Sequence, residues 1–292
     1  MTWLVWRRQR AALLFALSLL GAVALLMLAG GIRLRAGTAP PGPQIAPTLV
    51  LVVRTVLMVL PGLVGVIVGA GLFGRELERG THVFALTQSI GRLRWWATGL
   101  LVTGLPVAVA VVLVTWLAGW ALGPQSMAVP LSPTFFDSSG LVPLGHVLLG
   151  FTVSASAGLL ARNALVAVAV GVGVLLIAQI VLGAGYRMHY VSPERSRVEV
   201  SALTSPELAT GRWLERSPVD STGQPVDLPG SGCVGPGDQT SCLRAAGATA
   251  VDLVYQPASR YWILQSIETL VLLALSALGV TAGYLGLRRR VS

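Results

Sequence analysis

The chain of 292 residues is 54% hydrophobic and only 11% charged, with a formal net charge of +9, whereas soluble globular domains carry about 25% charged residues. This composition excludes an ordinary soluble domain and predicts an integral membrane protein. All 21 basic residues are arginine, and the lack of lysine excludes a phosphate-binding P-loop and a Schiff-base cofactor in this chain.

The first apolar run covers residues 11–30 and follows Arg7, Arg8 and Arg10. At about 1.5 Å per residue, its length matches a bilayer hydrocarbon core of about 30 Å. A secretory signal peptide also begins with basic residues, but its apolar region is only about 7 to 15 residues long. We therefore expect a retained first transmembrane helix.

Five further apolar runs are long enough to cross a membrane. They predict an all-α integral membrane protein with six transmembrane helices, forming one polytopic domain over residues 1–292. The predicted later spans are residues 49–73, 97–122, 142–160, 164–186 and 263–287.

Arginine is concentrated in the short loops on one side of this topology, and the positive-inside rule assigns that side to the cytoplasm. Only Arg33 and Arg35 stand in a short loop on the other side. We expect a multi-pass protein of the plasma membrane with both termini in the cytoplasm. The arginines on the predicted cytoplasmic side are Arg7, Arg8, Arg10, Arg75, Arg79, Arg92, Arg94, Arg162, Arg288, Arg289 and Arg290.

The long segment at residues 187–262 is predicted to be extracellular. Cys233 and Cys242 both lie in a turn-rich part of it, and an oxidising exterior favours a disulfide between them. A metal site is the alternative, but no histidine lies near either cysteine. The segment either gates or contacts cargo, or is a plain ordered loop, and its composition favours the loop.

A glycine pattern, G-x-G-x-x-G, begins at Gly69. It indicates dinucleotide binding only between a strand and the start of a helix, and here it ends an apolar run, so helix packing is the expected use. Gly65 with Gly69, and Gly279 with Gly283, form faces of small residues spaced four apart.

Two charged residues lie within the predicted spans. Arg54 is near the outer end of the second span and Glu268 is at the same depth in the sixth. Because charges inside a bilayer are costly, we predict a possible intramembrane ion pair between them, within one subunit or across a dimer. The alternative is that each side chain reaches the lipid headgroups separately.

The cytoplasmic loop at residues 74–96 contains a predicted amphipathic helix over about residues 82–90. Thr81 is a candidate N-cap, and apolar residues recur after it at helical spacing. The helix could instead be an interfacial anchor, with Trp95 and Trp96 forming an aromatic belt before the third span.

These features resemble permease subunits of ATP-binding-cassette (ABC) transporters of the type-2 exporter class, particularly actinobacterial members. The resemblance covers essentially the whole chain, including its start, MTWLVWRRQR, and the stretch from Tyr255 to Glu268. It depends most on the six spans and on the loop after the second span. The matching loop residues are the Glu-x-Gly-Thr turn of Glu78, Gly80 and Thr81, and Arg92 before the third span.

The resemblance implies that the loop helix is a coupling helix seated in a separate ABC ATPase subunit. Two ATPase copies would bind two permeases, which are either two copies of this chain or this chain with a related permease. This chain would bind no cofactor, and ATP and Mg would lie at the partner ATPase. The implied coupling residues are Glu78, Gly80, Thr81, His82, Phe84, Leu86 and Arg92.

The predicted function is that of an exporter permease, which moves an amphipathic or hydrophobic substrate outward and is not itself an enzyme. Membrane lipid is the other expected partner, and nucleic acid is not expected. The alternative function is that of a non-transporting membrane scaffold or assembly protein whose extracellular segment binds a partner.

Overall fold

A computed structural model of the chain describes residues 2–36, 45–78, 91–122, 130–203, 212–228 and 239–290. The chain divides into two compact units, here called the membrane unit and the small unit. The membrane unit comprises Met1–Gly123, Pro133–Gly185 and Gln265–Ser292, and the small unit comprises Pro124–Ser132 and Tyr186–Leu264.

The described helices follow the apolar runs of the sequence. A π-helical stretch, Gln179–Tyr186, continues α6. The α-helices are α1 (Thr2–Arg35), α2 (Ile45–Glu78), α3 (Arg92–Leu122), α4 (Pro133–Ser138), α5 (Val142–Ala161), α6 (Ala164–Ala178), α7 (Gln239–Ala245) and α8 (Tyr261–Arg290).

Within the described residues, six helices are long and apolar enough to cross a membrane. This confirms the predicted number of spans. The apolar stretches are Gln9–Arg33, Leu51–Gly74, Leu93–Ala121, Val142–Ala161, Ala164–Gly183 and Ala258–Arg289.

The most extensive helix packing in the membrane unit joins α2 to α5. A methyl group at Gly65 would overlap the carbonyl oxygen of Val147, and one at Gly69 would overlap the carbonyl oxygen of Phe151. Since lipid tails are as apolar as leucine, helices in a bilayer associate largely through such close van der Waals packing. The glycine pattern is therefore a packing surface, as its position in an apolar run predicts.

Arg162 and Asn163 make a short turn between α5 and α6. Arg162 adopts a left-handed conformation (φ 54°, ψ 30°), and its N–H donates to the carbonyl oxygen of Gly158 at 3.0 Å. The Asn163 side chain accepts a hydrogen bond of 3.0 Å from the N–H of Val166 and so caps α6. These local bonds end one span and begin the next within two residues.

Both terminal helices reach the same end of the membrane unit as the Arg162 turn, and we call this the basic end. Gln9 donates to the carbonyl oxygen of Leu72 at 3.3 Å, which fixes the start of α1 beside the end of α2. A methyl group at Gly74 would contact Ala164, and one at Gly286 would overlap Leu160. The exposed arginines of the basic end are Arg7, Arg10, Arg94, Arg162, Arg288 and Arg289.

The small unit contains a three-stranded antiparallel sheet, so the expectation of an all-α chain is wrong for this part. The strand order is β1–β3–β2. The preference for a plain ordered loop over residues 187–262 also fails for the residues that form the sheet. The strands are β1 (Glu194–Glu199), β2 (Arg212–Val219) and β3 (Ala250–Gln256).

The sheet has its own hydrophobic core. Val251, Leu253 and Tyr255 alternate along β3 and are buried, as period-two burial on one face of a strand requires. They form a cluster with Leu243 of α7. A small unit that buries apolar side chains in this way is a folded element rather than a linker.

A cross-strand ion pair joins the outer strand β1 to the central strand β3. Arg197 lies directly opposite Asp252 and donates two hydrogen bonds to its carboxylate, at 2.7 and 2.8 Å. These hydrogen bonds lower the pKa of Asp252 below its usual value. The pair helps to define which residues of the two strands face each other.

We expect Gly65→Ala and Gly69→Ala each to destabilise the membrane unit by about 1–3 kcal/mol, because the added methyl group overpacks the contact with α5. Alanine otherwise favours a helix over glycine by about 1 kcal/mol, so any loss would come from the contact itself. The measurement is the melting temperature of the chain in mild detergent.

Gly21→Ala and Gly173→Ala are matched controls, because nothing lies within 4 Å of a methyl group at either position. Neither control should lower the melting temperature. Equal melting temperatures for all four variants would contradict the assigned packing surface.

Candidate functional site

The predicted coupling segment begins where α2 ends and finishes where α3 begins. Glu78 is the last residue of α2 and Arg92 is the first residue of α3. The predicted helix over residues 82–90 lies outside the described residues, so its structure and its contacts stay predictions. The coupling residues that also lie outside them are Gly80, Thr81, His82, Phe84 and Leu86.

An aromatic cluster joins the two helices that flank this segment. The Phe73 ring on α2 stacks on Trp96 of α3, with 4.5 Å between centroids and 27° between planes. The same ring lies 4.8 Å from the Trp95 ring. A methyl group at Gly99 would lie only 3.0 Å from the Phe73 ring, so this glycine leaves room for the cluster.

Burial of the two tryptophans overturns one interpretation of the sequence. Trp95 and Trp96 are only 5% and 1% exposed, so the expectation that they form an interfacial aromatic belt is wrong. The physical reason is that Phe73 provides a flat apolar partner inside the unit. We call Phe73, Trp95 and Trp96 the aromatic cluster.

The last helix also packs at the basic end. A methyl group at Gly283 would lie 2.6 Å from the Trp96 ring, so α8 approaches this ring closely. One helical turn away, the Ser156 hydroxyl donates to the carbonyl oxygen of Gly279 at 2.7 Å. The predicted small-residue face of α8 is therefore in contact with α3 and α5.

At the opposite end of the membrane unit, Arg54 is buried with only 6% exposure. Its Nη1 donates to the Ser138 hydroxyl at 3.0 Å. Its guanidinium carbon lies 4.1 Å from the centre of the Phe135 ring. The short helix α4 thus supplies both a hydrogen-bond acceptor and an aromatic face to the cation.

Gln265 connects three helices close to this arginine. Its Oε1 accepts hydrogen bonds from the N–H groups of Leu141 and Val142, at 2.9 and 3.0 Å, and its Nε2 donates to the carbonyl oxygen of Phe136 at 2.7 Å. The residue before α5 provides no side-chain cap. A glutamine from α8 therefore caps the start of α5 and the end of α4 together.

Two buried acids belong to the same region. Asp137 is adjacent to Ser138 in α4, and Glu268 is one turn beyond Gln265 in α8; each is 1% exposed. Burial inside the protein disfavours the alternative in which Arg54 and Glu268 reach the headgroups separately. Their direct pairing stays a prediction. We call Arg54, Asp137, Ser138, Gln265 and Glu268 the polar cluster.

Sequence reasoning missed Asp137 and Ser138, which lie between the predicted third and fourth spans, and Gln265, which lies in the predicted sixth span. An available signal was the glutamine in the sixth apolar run, one helical turn before Glu268. Polar side chains inside a span need partners. The partners lie more than 120 positions away in sequence, so no local pattern identifies them.

Of the two cysteines in the small unit, the structure describes one. Cys242 lies on α7 and is partly buried against the sheet core. Cys233 lies outside the described residues. The disulfide between them therefore stays a prediction.

Residues 43–187 match the family described as ABC-2 membrane transporter related, which covers about half of the chain. The match includes four predicted spans, the predicted coupling segment and the α4 part of the polar cluster. No curated protein matches the chain.

We expect a double-mutant cycle of Arg54→Gln and Glu268→Gln to reveal whether these residues pair. Breaking a buried pair from one side leaves an uncompensated charge and costs about 3–5 kcal/mol. If they pair, the double variant should recover part of that loss, with a coupling energy of about 0.5–3 kcal/mol. The measurement is unfolding in mild detergent, and strictly additive losses would show that the residues do not interact.

Proposed function

This chain belongs, through residues 43–187, to the ABC-2 membrane transporter related family, and we propose that it is the permease subunit of an exporter. The exporter moves an amphipathic or hydrophobic substrate outward, using ATP hydrolysed by a separate ABC ATPase. The observation that carries the proposal is the family match, because it spans the coupling segment and the helices on both sides of it.

The composition of the chain favours a separate ATPase as the source of energy. The chain has no lysine, and the P-loop of such ATPases needs one. ATP and Mg are therefore bound by the partner, and this chain supplies no catalytic residue. We propose two ATPase copies and two permeases, the second permease being another copy of this chain or a related one.

The flanks of the coupling segment are suited to transmitting a push. The segment connects α2 to α3, and the aromatic cluster is a contact between these two helices beside it. α2 is in turn packed on α5 at backbone distance through glycines. Movement of a seated coupling helix would pass to these helices as a rigid-body displacement, since packed elements do not deform continuously.

The distribution of arginine supports the orientation. Both terminal helices and the Arg162 turn meet at the basic end, and the positive-inside rule assigns such an end to the cytoplasm. Residues 187–262, which follow the predicted fifth span, would then be extracellular, where a disulfide between Cys233 and Cys242 is stable. We place the protein in the plasma membrane on this basis.

The ATPase partnership can be tested by co-purification. The tagged full-length chain is co-expressed with a Walker-type ATPase encoded by a neighbouring gene and extracted in mild detergent. We expect the ATPase to be retained, and the double variant Glu78→Gln, Arg92→Gln to retain at least tenfold less. Truncating one charged contact at an interface costs about 2–5 kcal/mol, and about 1.4 kcal/mol is already a tenfold loss of affinity.

Arg162→Gln is the matched control, because Arg162 is an exposed arginine of the same basic end but lies outside the coupling segment. It should retain the ATPase fully. If the unaltered chain retains no ATPase and stimulates no ATP hydrolysis, the exporter proposal fails. Binding of another protein through the small unit would then favour the scaffold function.

The disulfide gives a further prediction for the small unit. A disulfide between Cys233 and Cys242 would close a loop of about ten residues. It should stabilise the small unit by about 2–3 kcal/mol. We expect peptide mapping without reductant to recover Cys233 and Cys242 in one linked species, and Cys233→Ser to lower the melting temperature. If both thiols react with an alkylating reagent after unfolding without reductant, the disulfide is contradicted. Thiols that become reactive when only a chelator is added would indicate the metal site.

A further inference from the structure

A shallow groove lies on the membrane unit between α2, α5 and α6. Its walls include Met58 and Leu63 from α2, and Leu175 and Leu176 from α6. Leu63 and Leu176 are 38% and 54% exposed, so the groove opens sideways. Because all of these residues belong to predicted membrane spans, the opening faces lipid.

Two polar side chains also line this apolar groove. His146 belongs to α5 and is 3% exposed, and Gln179 belongs to the stretch that continues α6. His146 lies only one turn after the start of α5 at Val142. Polar side chains within membrane spans are costly and commonly mark functional sites.

The backbone at Gln179 is also irregular. Gln179 is the first residue of an eight-residue π-helical stretch, Gln179–Tyr186. π-helical turns are rare and frequently occur at functional sites, because the wider turn displaces side chains from their α-helical positions. The irregular backbone and the buried histidine are independent features of the same groove.

The lining also indicates the charge of a suitable ligand. It contains no Asp, Glu or Arg among the described residues of the groove. A charged headgroup would lose hydration there without gaining an opposite charge, whereas a hydroxyl, ester or amide could exchange hydrogen bonds with His146 and Gln179. An alkyl chain would fit the apolar walls.

We propose that this groove binds an uncharged amphipathic molecule from the bilayer, with its alkyl chain against Met58, Leu63 and Leu176 and its hydrogen-bonding head at His146 and Gln179. Such a molecule is either a membrane lipid or cargo of the proposed exporter. Binding in the groove does not depend on the exporter function. The groove proposal and the exporter proposal are therefore tested by different experiments.

The test uses the full chain in lipid nanodiscs and a hexadecanol probe that carries a photoreactive diazirine near its hydroxyl end. Because the diazirine lies near the hydroxyl, we expect light-dependent labelling of the peptides that contain His146 and Gln179. The same probe with a carboxylate in place of the hydroxyl should label these peptides several-fold less. Equal labelling by both probes, or labelling spread evenly over all spans, would overturn the proposal.

Two kinds of variant separate binding from folding. Gln179→Leu removes a hydrogen-bonding group, and the probe should then bind about 2- to 10-fold more weakly. Leu176→Trp fills the groove from an exposed position and should abolish labelling. Leu165→Trp is the matched control, because Leu165 is 80% exposed on the same helix and does not line the groove.

Labelling that is unchanged by Leu176→Trp, in a chain with an unchanged melting temperature, would also overturn the proposal. The source of the ligand is distinguished with the reconstituted ATPase complex. Hexadecanol that stimulates ATP hydrolysis indicates a cargo site, and hexadecanol that binds without stimulation indicates a lipid site. Both results support binding in the groove, whatever the outcome of the ATPase co-purification.

Discussion

Backbone contact between α2 and α5 is the constraint on which the membrane unit depends. Water is absent from the bilayer core, so the hydrophobic effect does not drive these helices together, and van der Waals packing at close range must hold them. Gly65 and Gly69 allow that range, because any side chain there would meet the carbonyl oxygens of α5. The close contact between α2 and α5 also positions α5 so that its first N–H group donates to the side chain of Gln265 in α8.

The polar cluster and the aromatic cluster both depend on this packing, since α2 contributes to each. Arg54 and Phe73 are 19 positions apart on α2, a separation of about 28 Å along an α-helix. One helix therefore links the buried cation at one end of the unit to the flank of the coupling segment at the other. A displacement of α2 along its axis would alter both clusters together.

The spans could be predicted from sequence because bilayer thickness sets a minimum length for an apolar run. The short connection at Arg162 follows from the same rule, because one predicted span ends at residue 160 and the next begins at residue 164. The sheet of the small unit was missed, although Val251, Leu253 and Tyr255 alternate, because β1 is almost wholly exposed and carries no apolar period. Burial of Trp95 was missed because the sequence before a span does not distinguish a tryptophan that contacts lipid headgroups from one that packs on Phe73.

In the proposed exporter, force on the predicted coupling segment would act on two sets of packed helices. α1 packs mainly on α3, whereas α2 packs mainly on α5 and then on α6. These are two groups of helices, and residues 79–91 are the covalent link between α2 of one and α3 of the other. Because α2 is locked to α5 through glycines, force applied to that link would move the groups against each other rather than bend either one. The aromatic cluster bridges the two groups, so it is the contact that such a movement must rearrange.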